Sequence, residues 1–181
     1  MPILKKSSYT IKDIYALPEG ERAELIDGRI YAMAPPNRLH QKLVMELSHV
    51  IKSYIEKNNW ECEVYPSPFA VFLNKDEKIY VEPDISVICD KDKLNDRGCV
   101  GAPDFVIEVV SKSSRKMDYT TKNALYSDAG VREYWIVDPE KERTTIYYYE
   151  QDEAPMISLF TQTIQSGIYE GLEINISELL K

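Results

Sequence analysis

The chain has 181 residues, with 22 lysines and arginines against 30 aspartates and glutamates and a formal net charge of −8 at pH 7. That length predicts a single domain spanning residues 1–181 with a core of its own, and an apolar fraction of 44% excludes disordered and collagen-like classes. The acidic balance repels a polyanion over most of the surface, which counts against a broad nucleic-acid-coating role. It leaves room for a local basic site, because phosphate contacts are made patch by patch. Cys62, Cys89 and Cys99 are widely spaced and form no Cys-x-x-Cys pair, so the expectation is no disulfide framework and a reducing, intracellular setting. The opening MPILKKSSYT lacks the apolar run of a signal peptide, and no stretch reaches the roughly 20 apolar residues of a membrane span. The expected location is cytoplasmic, with no membrane partner.

Tyr9 to Leu17 reads as a short helix capped by Thr10 and ended by Pro18-Glu19-Gly20. Asp27-Gly28 between alternating apolar flanks marks a hairpin over Ala23 to Ala34. Asn37 caps a helix running from about Arg38 to Asn58, and its Leu39, Leu43, Leu47, Val50, Ile51, Tyr54 and Ile55 define one apolar stripe. His40 lies in the first turn, where a surface or capping role is the simpler expectation. Trp60 to Leu73 is one strand kinked at Pro66 and Pro68, or two short ones. Lys75 to Lys78 is a charged turn. Ile79 to Cys89 reads as a strand with Pro83 in its middle, which predicts a bulge or an edge just before Asp84.

The segment from Pro103 to Pro139 reads as strand, helix, strand, with the helix closed at Ala129-Gly130 and Trp135 in the core of the second strand. Thr144 to Tyr149 and Met156 to Thr163 are further strands, Gly167 to Leu172 is a short extended piece, and Asn175 or Ser177 caps a last helical turn. A mixed sheet with one long helix before it and one crossover helix inside it makes an α/β (α+β mixed sheet) fold.

Glu108 is the anomaly in this pattern. A carboxylate in a strand apolar on both faces is costly unless a metal, a cation or good hydrogen bonds compensate it. Asp104 shares its face but lies four steps away, roughly 13 Å, which is too far to share one ion. Asp84, on another strand, can meet Glu108 side by side. Glu82 shares a face with Asp84 and reads as a solvent-facing residue. Two converging carboxylates suit Mg²⁺, with Mn²⁺ as a substitute, because such ions take a few oxygens and keep waters and a substrate phosphate. Lys112, Arg115, Lys116 and Lys122 follow, interrupted by Asp118 alone. Together with Ser111, Ser113, Ser114 and a helix start they form a candidate phosphate site. The plainer reading is a solvated helix face on which Asp118 and Lys122 make a surface pair worth about 0.2–0.5 kcal/mol. Lys122 and Tyr126, four apart, share a helix face that can look toward Glu108.

The stretches VEPDISVI, APDFVIEVVSKSS and KNALYSDAGVREYWIVDP, with AELIDGRIYAMAPP and LHQKLVMEL before them, resemble the Uma-type restriction endonuclease domain family of the PD-(D/E)XK nuclease superfamily. The resemblance covers about Glu24 to Pro139. It implies a restriction-endonuclease-like core, a central mixed β-sheet flanked by helices with an N-terminal hairpin-helix extension, and metal-dependent phosphodiester hydrolysis. Asp84 and Glu108 would then be metal ligands together with the Val109 carbonyl. The superfamily's lysine would stand at Val110, and its role passes to the helix-borne Lys122. Glu24, His40, Ser111 and Tyr126 match family positions in supporting roles.

The expected function is therefore a Mg²⁺-dependent endonuclease acting on DNA, working as a homodimer joined through the Trp60 to Leu73 strand or the Tyr147-Tyr148-Tyr149 run. The alternative is a catalytically inactive nuclease-fold binding or assembly module. A two-carboxylate glycoside hydrolase fits the acid pair but leaves the basic segment unexplained.

Overall fold

The computed structural model describes residues 8–74 and 78–181; the opening Met1 to Ser7 and most of the expected charged turn, residues 75–77, lie outside them. Asp13 accepts hydrogen bonds from Thr10 N (2.8 Å) and Oγ1 (3.1 Å), which starts helix α1 (Ile11–Tyr15). Strands β1 (Ala23–Ile26) and β2 (Arg29–Ala32) form an antiparallel hairpin. Asp27 and Gly28 both have positive φ (49° and 72°), as the tight turn requires. A Cβ at Gly28 would meet Ser8 Oγ at 2.1 Å, so glycine is needed for space as well as for φ.

Asn37 Oδ1 accepts from His40 N at 2.9 Å and opens helix α2 (Arg38–Lys57). Its buried stripe is Leu43, Val44, Leu47, Ile51 and Ile55, whereas Leu39 is 40% exposed. The expected stripe thus begins one turn late, because the first turn overhangs a cleft instead of the sheet.

The remaining strands are β3 (Glu63–Pro66), β4 (Val71–Phe72), β5 (Ile85–Ile88), β6 (Leu94–Asn95), β7 (Gly98–Val100) and β8 (Phe105–Val109). After them come β9 (Glu133–Asp138), β10 (Arg143–Tyr147), β11 (Met156–Leu159), β12 (Thr163–Gln165) and β13 (Glu173–Asn175). The helical run between β8 and β9 contains a π segment, Met117–Lys122, and continues as α3 (Asn123–Ala129), closed by Gly130 at φ 90°. Helix α4 (Ile176–Leu179) is capped by Asn175, whose Oδ1 accepts from Glu178 N.

The central six-stranded sheet has the order β11-β10-β9-β8-β5-β3. Only the β8–β9 pair in it is parallel, and a parallel pair needs a crossover, which the helical run supplies. One face of the sheet packs Ile85, Val87, Phe105, Ile107 and Trp135 against α2 and the C-terminal segment. The other packs Val106, Tyr134 and Ile136 against Tyr126 and the loops beneath the crossover. Strand alternation puts Glu108 on this second face, in step with Val106.

Trp60 to Leu73 takes the second of its two expected forms, two short strands, β3 and β4, which belong to different sheets. Several other expectations need correction. The strand expected from Ile79 is regular only from Ile85; Tyr80 and Val81 make single bridges to Leu25 and Val71, and Pro83 has no N–H to continue a ladder. Met156 to Thr163 divides between β11 and the β12–β13 pair, and residues 167–172 form bends and a turn instead of an extended piece. The largest departure concerns the cysteines: Cys62 and Cys89 form a disulfide. The β3–β5 register pairs Glu63 with Ile88, so the residues just beyond face each other across the two strands. Cysteine spacing along the chain contains no trace of that adjacency. Cys99 stays free and buried, and burial pushes its thiol up to about 11.

Candidate active site

The crossover helix lies over the end of β8 and lowers two side chains onto Glu108. Lys122 Nζ donates to Glu108 Oε1 at 2.8 Å, and Tyr126 Oη donates to the same oxygen at 2.7 Å. Their i, i+4 spacing places both on one helix face. Lys122 also reaches Glu24 Oε1 on the hairpin (2.9 Å) and comes within 3.9 Å of Asp118 Oδ1, one turn back. The pair expected on the surface is buried, with Asp118 1% and Lys122 5% exposed.

The other oxygen of Glu108 is less engaged. Oε2 has the backbone N of Asp84 at 3.4 Å, so the two acids meet where β5 begins and β8 ends. Asp84 Oδ2 accepts from Val109 N at 2.7 Å and lies 3.2 Å from His40 Nε2. The first turn of α2 therefore points His40 into the acid cluster, not out to solvent as expected. Glu24 Oε1 accepts from Glu82 N at 3.0 Å, which joins the hairpin to the segment leading into Asp84.

Three carboxylates, Glu24, Glu108 and Asp118, thus share one ammonium, and a fourth, Asp84, is paired with His40. Burial raises the Glu108 carboxyl well above its ordinary range; Lys122 opposes the shift, while Asp84, Asp118 and Glu24 add to it. Burial likewise lifts Asp118 to about 6, against the pull of Lys122 and a hydrogen bond from Ser114. Burial disfavours the Lys122 ammonium, yet Glu108, Glu24 and Asp118 outweigh it and hold the amine firmly protonated. At His40 burial also opposes the charge, and the Asp84 hydrogen bond and charge with the Val109 backbone reverse it, so the imidazole pKa is raised. Unpaired negative charge in a half-closed site is the electrostatic signature of a place for a cation.

A cleft of about 580 Å³ opens onto these groups, with Glu24, His40, Asp84, Glu108, Ser111 and Lys122 in its wall. Among the described residues, no set of three or more His, Cys, Asp or Glu side chains is arranged to hold a metal. An ion here would take two carboxylates and a carbonyl from the protein and leave its remaining positions to water and phosphate, which is the habit of Mg²⁺. The donor set, all oxygen with excess negative charge, fits that ion.

The Uma2 family model, described as "Putative restriction endonuclease", matches residues 11–177. The chain belongs to the Uma2 family. Two uncharacterised proteins of Synechocystis sp. (strain ATCC 27184 / PCC 6803 / Kazusa) are similar to it. One, slr1290, is 26% identical over 133 residues, covering 73% of this chain and 68% of the relative. The other, sll1609, is 27% identical over 121 residues, covering 65% and 67%. The crystal structure described as a putative nuclease belonging to DUF820 from Anabaena variabilis ATCC 29413 aligns with a TM-score of 0.76 at 20% identity, over 94% of this chain and 96% of that one. This likeness shows the fold, the restriction-endonuclease-like mixed sheet flanked by helices.

Within this Uma2 chain, the basic island sits elsewhere than expected. Lys112, Arg115 and Lys116 are not in the cleft wall. Arg115 is bound to Asp138 and to Glu140, at 2.6 Å from the latter, while Lys112 and Lys116 are exposed. The serine patch at the helix start is largely self-satisfied, with Ser111 N donating to Ser114 Oγ (3.0 Å) and Ser114 N to Ser111 Oγ (3.1 Å). Glu82, expected to face solvent, is 7% exposed and binds Arg22 and the Tyr80 hydroxyl. Arg22 escaped the sequence reading altogether. Its position two residues before Glu24, in extended chain and hence on the same face, was the available signal. No helix among the described residues is long and apolar enough to cross a membrane.

Proposed function

We propose that this Uma2 protein is a Mg²⁺-dependent endonuclease that hydrolyses phosphodiester bonds in DNA. The observation that carries the reading is the division of labour on Glu108: Oε1 is held by Lys122 and Tyr126, while Oε2 is turned toward Asp84. Asp84, Glu108 and the Val109 carbonyl would hold the ion, Mg²⁺ or Mn²⁺ in its place. When bound, the metal supplies charge neutralisation at the scissile phosphate and lowers the pKa of a coordinated water.

The chain's own groups do the rest. Tyr126 and Lys122 fix the rotamer of Glu108 from above, so the carboxylate needs no rearrangement when substrate arrives. Lys122, kept protonated by three acids, presents positive charge where negative charge grows on the phosphoryl oxygens. Glu24 positions Lys122. His40, hydrogen-bonded to Asp84, orients that carboxylate and stands in the cleft wall as a proton carrier near the reacting phosphate. A two-fold pair of chains would present two such clefts, one for each DNA strand; light scattering at assay concentration reads this directly.

A plasmid-nicking assay in Mg²⁺ and in EDTA, on wild type, Glu108→Gln and Lys122→Ala, tests the function. Nicking by wild type in Mg²⁺ alone, with losses of about 10²–10³-fold in the variants, is the expected result. Equal activity in all three, or none in wild type, would discard it. The buried, closed ion pairing of Lys122 favours a second reading, a nuclease-fold binding module without turnover. Calorimetric titration with Mn²⁺ separates the two, since binding abolished by Asp84→Ala belongs to the enzyme.

A further inference from the structure

An acidic cleft that is to receive a polyanion needs a cation able to reach it. The permanently charged cations in the cleft wall are Arg22 and Lys122. Lys122 has a side-chain exposure of 6% and is occupied by Glu108 and Glu24, whereas the Arg22 side chain is 37% exposed. The Lys112, Arg115 and Lys116 island lies outside the cleft, and Arg115 is taken up by two carboxylates.

Arg22 is mounted on one edge only. Its Nε (2.9 Å) and Nη2 both donate to Glu82 Oε2, and Nη2 also donates to Ser67 Oγ at 2.7 Å. Among the described residues Nη1 makes no hydrogen bond. Glu82 is itself anchored, with Oε1 accepting from Tyr80 Oη at 2.7 Å and its backbone N donating to Glu24. The Arg22 carbonyl accepts from Met33 N at 2.9 Å, which extends the hairpin ladder and fixes the backbone. A guanidinium held rigidly by one edge with the other left open is organised for an oxyanion, since its rotamer entropy is already spent. Arg22 and Glu24 are two residues apart in extended chain, so they share a face at about 6.6 Å, and Glu24 touches Lys122.

We infer that Arg22 is the phosphate-holding residue of the cleft, gripping a backbone phosphate next to the one being cut; this rests on the nuclease reading above. Arg22 contributes binding, not chemistry, and Glu82 is its positioning residue.

The test is fluorescence anisotropy with a labelled DNA duplex in EDTA, titrated between about 50 and 200 mM salt, together with cleavage kinetics in Mg²⁺. Arg22→Ala leaves Glu82 buried without its partner and can fail to fold. The pair Arg22→Met with Glu82→Gln removes both charges at similar volume and is the controlling variant. Expected are about tenfold weaker binding and a log K against log salt slope shallower by about 0.9, one phosphate's worth. In kinetics KM rises while kcat is nearly kept, and Arg22→Lys recovers the slope. A wild type that cuts DNA while the double variant keeps slope and KM unchanged overturns the Arg22 assignment alone. A wild type that neither binds nor cuts DNA overturns the nuclease reading and this assignment with it.

Discussion

Lys122 and Glu24 meet at 2.9 Å across the floor of the cleft, so one buried ammonium ties the N-terminal hairpin to the strand that carries Glu108. Removing it strands two buried carboxylates without a counter-charge, a change that costs about 3–5 kcal/mol for buried pairs. Urea unfolding of Lys122→Met in EDTA should show a loss of that size. Adding Glu24→Gln and Glu108→Gln to the same chain should restore most of it, because no uncompensated charge is left. A single variant as stable as wild type would show that the three groups are not coupled.

Asp118 supplies a pH dependence with a definite sign. Its folded pKa is raised from 3.8 to about 6, chiefly by burial. The folded state therefore binds this proton more tightly than the unfolded chain does. The stabilisation is fully present below pH 3.8 and is lost as pH rises through about 6. Asp118→Asn should be more stable than wild type above pH 6, and the gap should shrink toward pH 4. Denaturation midpoints of both proteins across that range decide it; parallel curves would contradict the assignment.

The Cys62–Cys89 disulfide joins β3 to β5 at the end opposite Asp84, and Tyr169 Oη lies 3.4 Å from Cys89 Sγ. Closing a loop of 27 residues in sequence separation restricts the unfolded chain, and its loss should cost about 3 kcal/mol. Unfolding with and without reductant, compared with Cys62→Ser/Cys89→Ser, measures this. Reductant should leave the serine variant unmoved.

Arg115 gives the opposite expectation to Arg22. Its guanidinium is bound to Asp138, whose side chain is fully buried, and to Glu140. Arg115→Ala should therefore lower stability by about 3 kcal/mol and leave the salt dependence of DNA binding unchanged. A shallower slope in this variant would return Arg115 to the phosphate site.

The sequence by itself determined the elements whose causes are local. Asp27-Gly28 made the hairpin, Asn37 opened the long helix, and Gly130 ended the crossover. Glu108 stood out because a strand apolar on both faces has no ordinary use for a carboxylate, and the four-residue spacing of Lys122 and Tyr126 follows from helical period alone. Tertiary structure decided everything that depends on what lies opposite. The β3–β5 register joined Cys62 to Cys89, and the overhang of α2 turned His40 into the acid cluster. The hairpin's approach to Tyr80 brought Glu24 to Lys122 and set Arg22 upon Glu82. Periodicity reports which face a side chain takes, but burial and charge pairing are settled by the neighbour that packs there. That is why Asp118, Glu82 and Arg115 changed roles once the chain was folded.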